Sequence, residues 1–98
     1  MAITVDPDER EVAALRRAAK WNGTRALEIG CGDGRLTLRL ASLGARVVAL
    51  DPDRLLIHKA REGLPSRYSR QVNYSVGSAS KLRHPPASFD IVVFAWSL

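Results

Sequence analysis

Between Ala26 and Arg35 the chain reads Ala-Leu-Glu-Ile-Gly-Cys-Gly-Asp-Gly-Arg, an apolar run holding one carboxylate and then glycines at alternate positions 30, 32 and 34. A strand that must bend sharply into a helix, with its backbone bare enough for a ligand to touch, needs glycine at such positions. The spacing departs from the dinucleotide fingerprint G-x-G-x-x-G, whose third glycine would fall at Arg35 and whose helix N-terminus holds a pyrophosphate. Glu28 and Asp33 flank the turn. Two carboxylates there would repel a pyrophosphate and suit a ligand carrying positive charge.

A second motif lies at a telling distance. Asp51 closes the apolar run Ala45 to Leu50, and an acid at the end of a second strand, roughly 20 residues beyond a glycine turn, is placed to accept both ribose hydroxyls of an adenosine ligand. Asp51-Pro52-Asp53 is also a good helix start, so a capping role stands beside the ribose role. Other chemistry finds less support. Cys31 is the single cysteine, which excludes an internal disulfide and leaves a thiolate zinc site without partners. Lacking a paired histidine signature, it reads as a small residue in a crowded loop rather than a nucleophile. His58 and His84 are isolated and form no metal-binding spacing.

At Glu28, Gly30, Gly32 and Gly34 the chain resembles the class I S-adenosylmethionine-dependent methyltransferases, whose first motif is E/D-x-G-x-G-x-G. The resemblance implies S-adenosyl-L-methionine as cofactor. It sets Gly30, Cys31, Gly32 and Gly34 against the methionine portion and Glu28 near the ammonium group, directly or through water. Asp51 and Pro52 fall at the ribose, and Ser78 and Ala79 at the adenine. Asp33 is left between assisting at the loop and capping the following helix. Ser78 departs from the family, which often has an acid before the alanine. A serine hydroxyl can accept the adenine amino group's hydrogen bond but is neutral and short, and Gly77-Ser78 reads equally as an ordinary turn. Phe89 to Leu98 is similar to the family's strand that begins Phe-Asp and ends at the substrate. Asp90 stands at the amino end of that strand, whereas ligands gather at the carboxyl ends, so it reads as structural. The segment after the strand lacks the Pro-Pro-aromatic pattern of enzymes that methylate amino groups of DNA bases or glutamine.

These residues need elements to hold them. Asp6-Pro7-Asp8-Glu9 is a helix start with acids at the positive end of the dipole, Val12, Leu15 and Ala19 supply an apolar stripe, and Asn22-Gly23 stops it. Residues 1–24 therefore read as an N-terminal helical cover, and residues 25–98 as the cofactor-binding half of a methyltransferase domain. Leu36, Leu40 and Leu43 give a helix after the turn that ends at Gly44, and a further helix runs from Asp53 to Arg61 or Glu62 with Leu56 and Ala60 on one face. Strands fall at Ala26, at Ala45 to Leu50, at Gln71 to Val76 and at Ile91 to Trp96; residues 79–88, with Pro85-Pro86, read as loop.

The alternation of strand and helix predicts an α/β fold: a Rossmann-like parallel sheet with right-handed crossovers and flanking helices. By resemblance its four strands lie in the order third, second, first, fourth, truncated relative to a seven-stranded family fold. Ending there would leave Ile91 to Trp96 as an apolar edge, so the missing C-terminal half or a partner chain is expected along the fourth strand.

Composition bounds the remainder. At 98 residues the chain is one domain, with 46% hydrophobic and 26% charged residues, ordinary for a globular protein. The longest apolar run is too short to span a bilayer, and the first residues lack a signal-peptide pattern; a cytoplasmic location with no membrane partner is expected. Net charge is +5, and residues 54–83 carry seven basic residues against Glu62 alone. Such a stripe could guide a nucleic acid, but little aromatic interleaving accompanies it, and a solvated face is the favoured reading. Three functions stay open: the S-adenosylmethionine-binding part of a methyltransferase acting on an unidentified acceptor, an NAD(P)-binding domain of an oxidoreductase, and a non-catalytic interaction module.

Overall fold

The computed structural model describes residues 2–5, 20–78 and 88–95. Five strands form one parallel sheet: β1 (Ala2–Val5), β2 (Arg25–Ile29), β3 (Arg46–Asp51), β4 (Val72–Val76) and β5 (Ile91–Ala95). In space they run β4-β3-β2-β5-β1. The four strands expected from sequence therefore hold their order, third, second, first, fourth.

The fifth strand corrects the expectation of four. Ala2 to Val5 pair in parallel with Val92 to Ala95, along the side of β5 that sequence reading left open. Backbone N–H and C=O groups on the outer side of β5 thus find partners within the same chain, which removes the exposed edge expected there. The N-terminal cover is correspondingly not all helix, since it begins as a strand. The helix expected after Asp6 lies outside the described residues, as do Trp96 to Leu98.

Two helices pack on one side of the sheet. In α1 (Arg35–Ser42) Leu36, Thr37, Leu40 and Ala41 are buried, the three-and-four spacing that aims one stripe at the strands. α2 (Arg54–Glu62) starts at Asp53, whose Oδ1 accepts from the backbone N–H groups of Leu55 and Leu56 at 2.9 and 3.2 Å, satisfying donors the first helical turn would otherwise orphan. Its buried face is Ile57 and Ala60. Leu56, expected on that face, is only half-buried, and Leu55 is exposed.

β2 shows the consequence for the site. Ala26 belongs to the core shared with the helices, while Leu27 turns to the other side and joins Leu50 and Phe89. Alternation then puts the next residue, Glu28, back on the helix side, where it is fully buried. Polar clamps fix the layers. Gln71 Nε2 donates to the carbonyls of Ala41 and Ala45 at 2.9 and 3.0 Å, tying the end of α1 to the entry of β4. Arg61 donates to the Tyr74 carbonyl at 2.8 Å, tying α2 to the same strand.

Candidate functional site

The glycine turn sits at the carboxyl ends of β2 and β3, where open α/β sheets bind ligands. The N–H groups of Gly30 and Cys31 both donate to the Leu50 carbonyl, at 2.8 and 2.9 Å, so the turn leans onto the end of β3. Gly77 N–H donates to the Asp51 carbonyl at 3.0 Å, which brings the end of β4 to the same place.

Its glycines answer to different neighbours. A Cβ on Gly30 would meet the Ala95 carbonyl oxygen of β5 at 3.1 Å. Gly34, buried at φ 91°, stands on the phenol of Tyr74, whose oxygen a Cβ would approach to 2.2 Å. A Cβ on Gly32 would meet nothing within 4 Å. Sequence reading gave all three the task of exposing backbone to a ligand. Of the three, only Gly32 has open space where a Cβ would stand, and Gly34 is packed closely against Tyr74 of β4.

Asp51 joins turn and strand. It is buried, with Oδ2 accepting from Gly32 N–H at 2.9 Å and Oδ1 accepting from Asp53 N–H at 2.8 Å. Each carboxylate oxygen has two acceptor sites, so capacity for two further donors remains. The cap of α2 is Asp53, which frees Asp51 from the capping role that its sequence context also allowed. Pro52 is exposed beside it. Asp33 is exposed on the turn, and α1 has Gly34 at its N-cap with no side-chain cap, so Asp33 does not cap that helix.

Glu28 departs furthest from expectation. Its exposure is 0%, so no ligand in the crevice can touch the carboxylate in this arrangement. Thr37 Oγ1 donates to its Oε1, whereas Oε2 has no hydrogen-bond partner. Burial pushes its pKa up to about 7, opposed by the Thr37 hydrogen bond and aided by the charge of Asp51. The buried Tyr74 hydroxyl likewise has no hydrogen-bond partner. Burial, with the Glu28, Cys31 and Asp33 charges adding, raises the phenol to about 12; the nearby Thr37 hydroxyl opposes the rise. Burial also pushes the Cys31 thiol up, followed by the charges of Glu28 and Asp51. A thiol held neutral is a poor nucleophile, in accord with its reading as a small loop residue.

Thr37 and Tyr74 are the residues that sequence reading missed. Thr37 carried a signal, since it is a hydroxyl beside Leu36 on the stripe of α1 that faces the sheet. Tyr74 carried none, because only the folded sheet lets its phenol reach Gly34 from β4, two strands away from β2. Ser78 is half-buried, two residues beyond β4; Ala79 lies outside the described residues. Asp90 accepts from Arg25 N–H at 2.9 Å, pinning the start of β5 to the start of β2 at the end opposite the turn. A groove of about 460 Å³ at that far end is lined by Arg25, Arg46, Arg70 and Phe89 among others, and it shares no residue with the glycine turn. Among the described residues no three His, Cys, Asp or Glu side chains gather as a metal site, and no helix is long and apolar enough to cross a membrane.

A parallel sheet with helices on its flank, a glycine turn at its carboxyl end and an acid closing the next strand define a Rossmann-like α/β fold. The particular family follows from comparison: residues 26–98 match the methyltransferase domain, and the chain belongs to that family. It is 37% identical over 91 residues to the magnesium-protoporphyrin O-methyltransferase of Rhodobacter capsulatus, covering 91% of this chain and 39% of that protein. It is 44% identical over 72 residues to a ubiquinone biosynthesis O-methyltransferase of Xanthomonas campestris, covering 71% of this chain and 29% of that one. Among solved structures, an S-adenosylmethionine-dependent methyltransferase from Mesorhizobium loti superposes with a TM-score of 0.75 at 27% identity, over 92% of this chain and 41% of that one. The magnesium protoporphyrin IX methyltransferase of Synechocystis, solved with bound SAH, shares the fold at a TM-score of 0.72 and 24% identity, over 86% of this chain and 38% of that one. The chain thus spans about two fifths of the length of the first relative, 39%.

Proposed function

We propose that the chain is the cofactor-binding portion of a class I methyltransferase and takes S-adenosyl-L-methionine over the glycine turn. One observation carries the reading: the open backbone of Gly32 lies against the Asp51 carboxylate at the carboxyl end of the sheet, joined by a 2.9 Å hydrogen bond. A ligand with a ribose and a cationic amino-acid tail fits that pair. Asp51 would accept the ribose hydroxyls beside Pro52, the backbone from Gly30 through Cys31 to Gly34 would border the methionine portion, and Ser78 with Ala79 would border the adenine.

When bound, S-adenosylmethionine supplies a methyl group on an electrophilic sulfonium. This chain's own residues bind and orient it, and for an in-line displacement at carbon, orientation in a desolvated site is the main contribution required. Glu28 acts from beneath the turn rather than by contact, because it is enclosed. The relatives named above carry O-methyltransferase names, so an oxygen acceptor is the first to test in the whole protein.

Calorimetric titration of the chain with S-adenosylmethionine, and separately with NADH, tests the reading. Asp51→Ala should weaken S-adenosylmethionine about tenfold or more, the loss of hydrogen bonds to a charged acceptor. Binding of NADH without S-adenosylmethionine would refute the proposal.

A further inference from the structure

We infer that Glu28 holds a proton when the crevice is empty and releases it when a cationic ligand seats over the glycine turn, so that binding of S-adenosylmethionine is linked to proton release by a residue the ligand never touches. The inference rests on the cofactor reading above and extends it to the buried group beneath the site.

The geometry of the enclosure makes the argument. Glu28 is fully buried, and its single hydrogen-bond partner is the neutral hydroxyl of Thr37 on α1. Its other oxygen has none. An ionised carboxylate in such a place needs an opposite charge or several donors, and otherwise takes a proton. Among the described residues no cation acts on Glu28: Arg35 and Arg39 of α1 lie off the buried stripe that carries Thr37. β3 contributes Asp51, the turn contributes Cys31 and Asp33, β4 contributes Tyr74, and β5 pairs its apolar Val93 with Glu28. Asp51 disfavours the charge on Glu28, and ionised Glu28 in turn disfavours charge on Cys31 and Tyr74. Burial holds the carboxyl near neutrality, at about 7.

A cation over the turn reverses that balance. The turn begins at Gly30, two residues beyond Glu28, and the enclosure admits little water to screen the field. The cofactor's sulfonium and ammonium would be the missing opposite charges, favouring the carboxylate form and expelling its proton to solvent. By linkage the affinity must then rise with pH through the same range. Thr37 is a positioning residue here: its hydrogen bond favours the charged form, so removing it moves the release to higher pH.

The test is calorimetry at pH 7 of the full chain with S-adenosylmethionine, in two buffers of different ionisation enthalpy. The expected result is release of about half a proton per ligand bound, with affinity rising several-fold between pH 6 and pH 8. Glu28→Gln should bind with no such release, and Thr37→Val should displace the pH profile upward. Carboxyl carbon shifts of Glu28 followed by NMR against pH, with and without the ligand, read the same proton in the unaltered chain should either variant fail to fold. Binding without proton exchange, with Glu28 titrating identically in both states, overturns this inference and leaves the cofactor reading intact. Failure to bind S-adenosylmethionine at all refutes the cofactor reading and this inference together.

Discussion

Replacing Glu28 by Gln should make the protein more stable at slightly alkaline pH, although it removes the acid of the glycine motif. In the folded chain the carboxyl titrates at about 7, against an ordinary value of 4.5, because it is buried. Below pH 4.5 both folded and unfolded chains hold the proton. As pH rises from there the unfolded chain ionises first, and stability falls until the folded carboxyl has also ionised. Each pH unit of that window is worth about 1.4 kcal/mol, so the folded state loses about 3 kcal/mol by pH 8. Gln is isosteric, can still accept from Thr37 and has no charge to desolvate. Thermal unfolding of both proteins between pH 5 and pH 8 is the assay. The unaltered chain should lose about 10 °C or more in Tm relative to Glu28→Gln across that range, given about 4–8 °C per kcal/mol for a domain of this size. Parallel pH profiles for the two proteins would refute the reasoning. That result would mean that Glu28 is ionised and compensated in the folded state.

Three other outcomes follow from the packing and the helix cap. Gly34→Ala should destabilise by about 2–4 kcal/mol, because a side chain at φ 91° is strained and its Cβ would overlap Tyr74, while Gly32→Ala, which meets no neighbour, should cost only about 1 kcal/mol. Tyr74→Phe alone should be neutral or stabilising by about 1 kcal/mol, since it deletes an unpartnered hydroxyl, and should recover part of the Gly34→Ala loss; strictly additive denaturation free energies in the double-mutant cycle would contradict this contact. Asp53→Ala should cost about 1 kcal/mol of stability through the lost helix cap and leave ligand affinity within error, the opposite pattern to Asp51→Ala; equal effects on binding would erase the division of labour between the two acids.

Beyond the strand order that the family resemblance implied, the sequence by itself determined four of the five strands, the place of the turn and the identity of the acid at the end of β3. These are local or periodic signals: glycine spacing, apolar runs, and a carboxylate closing one of them. It could not determine what each residue touches. Asp51 and Asp53 sit in one short run that caps a helix equally well with either acid, and only the folded chain gives the cap to Asp53 and leaves Asp51 bonded to Gly32, 19 residues away. Glu28 and Thr37 meet because a strand and a helix nine residues apart in sequence are pressed face to face, which encloses a carboxylate that the motif suggested would meet the ligand. Gly34 and Tyr74 meet because the phenol of Tyr74 reaches the turn from β4, with β3 between its strand and β2. Ala2 to Val5 found the open side of β5 some 90 residues away, as the register of Ala2 with Val92 shows. Pairing of that kind joins backbone far apart in the chain, and no local pattern in a four-residue strand records it.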